Sequence, residues 1–301
     1  MGTVESPLVV GVDGSDASLT AVDWAADEAA RYGRPLRIVH ASLWERYEGA
    51  VPALTTDRPA DQILAENIVA VAGERAERRQ PGLTVTTEVL AEDASRGLLR
   101  EGDEAAALVV GCRGRSRIAD LLLGSVSLTV AARAHCPVVV IRGDRQALEA
   151  RHQRILLGIG GKDVDAPAVR FAFREAAVRH AELEVLHTWR RPAHEPVEHL
   201  LLTGEVTEYA QRASELLDRA LETTVRENPQ VRVHRSTVEG PAHKVLTQRS
   251  AAADLLVVGA RRSDALVGLE LGRVAHRALH HASCPVAVVP WCRPASEDGD
   301  L

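Results

Sequence analysis

Apolar residues in this chain come in short unbroken runs separated by longer amphipathic stretches. Residues 7–12 (PLVVGV), 36–41 (LRIVHA), 83–90 (LTVTTEVL), 107–111 (ALVVG) and 137–142 (PVVVIR) read as strands. Between them, residues 16–32, 61–79, 95–106 and 125–134 read as helices. In the first helix Leu19, Val22, Ala26 and Ala29 recur at helical spacing, acidic and hydroxyl residues at its start are cap candidates, and Gly33 closes it. Uniformly apolar strands alternating with helices predict a parallel sheet covered on both faces. Right-handed crossovers make this a doubly wound, Rossmann-like α/β sandwich. Ligands of such sheets sit beyond the carboxyl ends of the strands, where the strand order reverses. Asp13 and Gly111 both fall at predicted strand ends of that kind.

The pattern occurs twice. LVVGVDGS at 8–15 parallels ILLGIGGK at 155–162, and LRIVHA at 36–41 parallels LEVLHT at 183–188. LVVG at 108–111 returns at 256–259, and HCPVVVIR at 135–142 parallels SCPVAVVP at 283–290. A period this long is a domain duplication, not a solenoid. Two domains are expected, over 1–143 and 153–292, joined by the polar stretch 142–154. The tracts 44–60 and 190–204 read as long loops after the second strand of each copy.

Composition narrows the function classes. The chain has 301 residues, 46% hydrophobic and 26% charged, with a net charge of −6. That balance gives no general drive toward nucleic acid or anionic lipid. No stretch approaches a membrane span and the start does not resemble a signal peptide. The four cysteines, Cys112, Cys136, Cys284 and Cys292, match no disulfide framework or zinc spacing, so a cytoplasmic location is expected.

Candidate chemistry gathers in GCRGRSRIADLLLGSVS, residues 111–127. Gly111 ends a strand, where a missing side chain permits a sharp turn or a ligand against the main chain. Gly114 suits a positive φ. Gly124 and Ser125 open the helix beginning VSLTVAARA, whose first N–H groups lack partners and carry partial positive charge, a natural seat for phosphate. Ser125 and Ser127 offer hydroxyl donors, and Arg113, Arg115 and Arg117 offer charge. Asp13 can accept from ribose hydroxyls or an adenine amino group, and Ala41 leaves room for a base. Glycine pairs at turns are common, however, and the spacing alone is weak. There is no Gly-Lys-Ser/Thr and no Gly-x-Gly-x-x-Gly, so neither a P-loop nor a dinucleotide fingerprint is present.

These residues resemble the universal stress protein family in its tandem form. The likeness rests on VVGVDGS, on Gly111-x2-Gly114-x9-Gly124-Ser125 and on the closing CPVVVIR and CPVAVVP. It implies five-stranded parallel sheets of strand order 3-2-1-4-5 and an ATP site, with Mg²⁺ as an accompanying ion. The residues carried over are Val12, Asp13, Ala41, Gly111, Cys112, Arg113, Gly114, Gly124, Ser125, Val126 and Ser127. It also implies pairing of the two fifth strands, 137–142 with 285–290, as an intramolecular pseudo-dimer; dimerisation of whole chains stays open. One departure is Glu92, where the second copy has Gly240 and family members usually have glycine. A carboxylate there could tighten or spoil the base end of the pocket.

The second copy serves as an internal control. It keeps Gly259 and Gly272, but Arg262, Arg273 and Gly160 stand where the first copy has Gly114, Ser125 and Asp13. Little ATP binding is expected there, although the two arginines could take a different anion. The function expected is ATP-dependent regulation in a stress response, with a protein partner unspecified. A slow ATPase or phosphotransferase and a ligand-free interaction module remain as alternatives. No residue is assigned a catalytic role: Ser125 and Ser127 lack a histidine for a triad. His40 and His187, at equivalent strand positions, are expected to be hydrogen-bonded structural groups.

Overall fold

The computed structural model describes residues 5–43, 60–112, 123–160, 166–190, 205–261 and 271–291. The chain divides into two units, Met1–Arg142 and Gly143–Leu301. In the first, the five segments read as strands form β1 (Leu8–Gly11), β2 (Leu36–Ala41), β3 (Val85–Leu90), β4 (Ala107–Gly111) and β5 (Val138–Ile141). They pair in parallel in the order β3-β2-β1-β4-β5. Leu8 lies opposite both Leu36 and Ala107, so β1 is central and β1/β4 is the point where the order reverses. Val9, Val10, Leu108 and Val109 are wholly buried, as strands covered on both faces must be.

The helices are α1 (Asp16–Tyr32), α2 (Ala60–Arg79), α3 (Ala94–Gly102) and α4 (Ser125–Arg133). Ser15 caps α1, its hydroxyl accepting from Ser18 N–H, and Gly33 closes it in a left-handed conformation. The buried face of α1 is built from Ala21, Val22, Ala25, Ala26 and Ala29. Small side chains let this helix lie close to the sheet. Helix α3 ends at Gly102, four residues short of the expected 106, because Ala106 N–H bonds Pro7 O at 2.9 Å and joins the approach to the sheet.

Two arginine forks bind α2 to α1: Arg75 on Asp23 at 2.6 and 2.7 Å, and Arg79 on Asp27 at 2.7 and 2.9 Å. Burial alone would raise the Asp27 pKa. Bonds from Arg79 and Gln80, with the charges of Arg79 and Arg31, outweigh it and hold the carboxyl below its usual range. A carboxylate depressed in the folded state contributes stability above its unfolded pKa of about 3.9, and loses it as pH falls through the lower folded value. Asp27→Asn therefore lowers stability by about 1 kcal/mol at neutral pH. In urea denaturation that deficit should fade on acidification; a deficit unchanged in strong acid would contradict the assignment.

The second unit repeats the plan with β6 (Arg154–Ile159), β7 (Glu182–Trp189), β8 (Val233–Glu239), β9 (Leu255–Arg261) and β10 (Val286–Trp291). Its order is β8-β7-β6-β9-β10, again parallel. The helices are α5 (Arg145–Leu148), α6 (Ala166–Arg179), α7 (Glu205–Glu227), α8 (Ala242–Arg249) and α9 (Arg273–His281), with a 3-10 turn at Ser250–Ala252. The stretch expected as a plain linker contains α5. Asp144 caps this short helix by accepting from Ala147 N–H at 2.9 Å. Gly143 precedes it at φ +97, where an added Cβ would stand 2.2 Å from Ser283 O.

Candidate functional site

The carboxyl ends of β1, β2 and β4 carry most of the candidate residues. Val12 N–H donates to Val39 O at 2.9 Å, extending the β1/β2 pairing past Gly11. Continued one step further, that register sets Asp13 level with Ala41. The His40 Nδ1 lies 2.7 Å from Val12 O and fixes the last peptide of the strand end. Asp13 Oδ1 accepts from Ser15 N–H at 3.0 Å and from Ser15 Oγ–H at 2.6 Å. The same carboxylate thus shapes the turn into α1, where Gly14 takes a positive φ of 81°.

Across the reversal point, β4 and α4 are tied together. Gly124 N–H donates to Cys112 O at 2.8 Å and the Ser127 hydroxyl donates to Gly111 O at 2.7 Å. Ser127 is buried and its proton is committed within the protein, so it positions the helix start, where a phosphate donor was expected. Gly124 is the N-cap of α4 with no side-chain cap bond, which leaves the first-turn amides for water or a ligand. Ser125 is exposed beside them, Val126 and Cys112 are half-buried, and Val12 and Gly111 are buried. Arg113, Gly114, Arg115 and Arg117 lie outside the described residues.

Gly111 has a different physical reason from the one its position suggests. A Cβ there would stand 2.8 Å from Ala17 O and 3.1 Å from Ser18 N. It is the backbone of α1 that demands the missing side chain, and this approach places the starts of α1 and α4 around the end of β4. Glu92 is also accounted for: it forms an ion pair with Arg100, which further approaches Glu101 at 3.6 Å. Its charge is balanced on α3.

The second unit copies the scaffold but not the polar groups. His187 Nδ1 lies 3.0 Å from Ile159 O, the counterpart of the His40 bond. Gly272 caps α9 without a side-chain bond, as Gly124 does for α4. At the other positions Gly160 has open space where Asp13 stands, and Ala275 occupies the place of Ser127. Arg262 lies outside the described residues, as do Cys292 and most of the tracts 44–60 and 190–204. The linked histidines were legible as equivalents in the repeat; that each braces a strand-end carbonyl needed the register. Among the described residues no group of three or more His, Cys, Asp or Glu could hold a metal ion, and no helix is long and apolar enough to cross a membrane.

Two doubly wound parallel α/β domains in tandem, the first with an uncapped helix start at its reversal point, define a Rossmann-like protein of duplicated type. The model of the universal stress protein family matches residues 6–142 and again 151–290. A universal stress protein of Mycobacterium tuberculosis is 35% identical over 303 residues, covering 93% of this chain and 96% of the relative. One of Mycolicibacterium smegmatis is 33% identical over 298 residues, covering 95% and 97%. The crystal structure of a universal stress protein from Archaeoglobus fulgidus superposes with a TM-score of 0.67 at 18% identity, covering 95% of this chain and 98% of that one. The chain belongs to the universal stress protein family.

Proposed function

We propose that the amino-terminal domain binds ATP and that occupancy, rather than turnover, is its working state in a stress-response or regulatory role. The observation that carries this reading is the α4 start. Gly124 offers no side-chain cap, and its N–H is bonded to Cys112 O, so the first-turn amides are held at the end of β4. Backbone donors and the helix dipole together favour a phosphate chain there. On this reading Ser125 adds a hydroxyl and Arg113 and Gly114 complete the turn around the phosphates. Val12, Asp13 and Ala41, at the neighbouring strand ends, meet the ribose and base. Asp13 would be the carboxylate to hold an accompanying Mg²⁺. His40 braces the Val12 carbonyl at the strand end and Asp13 braces the turn into α1, positioning roles that suit binding.

Titration calorimetry of the full chain with ATP tests it. One high-affinity site per chain is expected. Gly114→Arg abolishes binding by filling the phosphate turn, and Asp13→Ala weakens it by about tenfold, the worth of one charge-assisted hydrogen bond. Bound nucleotide should still be ATP after hours; conversion to ADP with many turnovers would point to a slow ATPase instead. Undiminished binding by Gly114→Arg would place the nucleotide elsewhere.

A further inference from the structure

The second domain has replaced the small and acidic residues of the first site and gathered cations at the same end of its sheet. Arg190 directly follows β7, and the last residue of that strand, Trp189, accepts a bond from Gly240 N–H at 2.9 Å. That bond sets the start of α8 beside Arg190, with His243 and Lys244 in its first turn. Helix α8 packs on α9, which opens on Arg273 and carries Arg277 one turn later. Both helices follow strands of the parallel sheet, so both begin at its carboxyl end. Neither has a side-chain cap bond, Pro241 and Gly272 being the cap residues.

Arg190, Lys244, Arg273 and Arg277 are exposed, and His243 is half-buried. Among the described residues no carboxylate forms an ion pair with any of the four. Glu239, opposite Trp189, is the carboxylate in register with this strand end. The crowding registers at His243. Its pKa is held below the ordinary value first by partial removal from water, then by the charges of Arg277, Lys244, Arg190 and Arg273. Like charges collected from three elements repel unless an anion sits among them.

The chemistry of that anion follows from what accompanies the cations. Three guanidinium forks suit the several oxygens of a phosphate chain, and the uncapped helix starts add backbone donors. Among the described residues no carboxylate stands at the position of Asp13, which is Gly160 here, and a Cβ on Gly160 would meet no atom within 4 Å. Trp189, the aromatic ring at the strand end, already stacks on Tyr209, with centroids 6.4 Å apart and planes 13° apart. We infer that the carboxyl end of the second sheet binds a condensed inorganic phosphate, of the pyrophosphate or tripolyphosphate class, through Arg190, Lys244, Arg273 and Arg277, without reading a nucleoside. This site stands independently of nucleotide binding in the first domain.

The test is the imidazole signal of His243 in the isotope-labelled full chain, followed by NMR during titration with pyrophosphate, tripolyphosphate, ATP and adenosine at low salt. Pyrophosphate should move the signal saturably and raise the His243 pKa toward its ordinary value. Adenosine should leave it still, and ATP should act no more tightly than tripolyphosphate. Exposed-residue replacement Arg190→Ser with Arg273→Ser should raise the midpoint concentration at least about tenfold, each lost charge-assisted bond contributing several-fold or more. A signal indifferent to pyrophosphate, or equally responsive in the double variant, overturns the inference. So does ATP acting at a concentration about tenfold below tripolyphosphate, because the nucleoside would then be recognised.

Discussion

Replacing Gly111 with valine destabilises the amino-terminal domain by about 3 kcal/mol, at the upper end of ordinary overpacking penalties, and removes ATP binding with it. The added Cβ would stand 2.8 Å from Ala17 O and 2.9 Å from Ala17 C. These are backbone atoms in the first turn of a helix whose alanine face already lies on the sheet, so nothing flexible can give way. Either α1 moves outward and uncovers Ala21 and Ala25, or β4 moves and breaks the Ser127–Gly111 bond that seats α4. Each response disturbs the start of a helix around the site. Thermal unfolding should show the amino-terminal transition lowered by roughly 10 °C for a domain of this size. Gly160→Ala is the control, since its Cβ meets open space. A Gly111→Val protein with unchanged melting and unchanged ATP affinity would refute the close approach.

Asp254→Ala has an effect of similar size, confined to the other domain. The carboxylate is 2% exposed and accepts from His152 N–H at 2.9 Å and Arg154 N–H at 3.2 Å. Its own N–H donates to Arg154 O at 2.8 Å, so one residue anchors the start of β6 against the start of β9. Alanine leaves two amide donors without their acceptor in a buried setting, a loss of about 3 kcal/mol. In the first domain the equivalent position is Ala106, whose N–H bonds Pro7 O, and no carboxylate is involved. Denaturant unfolding should show the second domain weakened while ATP binding to the first persists. Loss of ATP binding in this variant would mean that the two units are energetically inseparable.

Strands β1, β4 and β5 were plain in the sequence because burial on both faces leaves continuous aliphatic runs, and the duplication repeated them, with β2, in a second context; β3, VTTEVL, is largely exposed and had no such support. Boundaries set by distant partners were not plain. Helix α3 stops at Gly102 although Ala105 and Ala106 favour helix, because a bond to Pro7 draws Ala106 into the sheet. The strand-end glycine was visible, but not that Ala17 and Ser18 require it, since that contact joins residues far apart in sequence. Ser127 read as a phosphate donor because its hydroxyl lies at a helix start; only the fold shows it bonded to Gly111 O. Of the cations in the second domain, the repeat made Arg262, outside the described residues, and Arg273 legible. Arg190, His243 and Lys244 join Arg273 through a strand-end bond and a helix packing that no local pattern announces.

The central claim is that ATP rests on the amides opening α4 in preference to those opening α9. Amide NMR of the full chain during ATP titration reports on both helix starts in one experiment. The Ser125, Val126 and Ser127 amides should shift first and furthest, in step with calorimetric saturation, while Arg273 and Val274 respond only at much higher ATP. Equal shifts at both helices, or movement at α9 with α4 unmoved, would contradict the account.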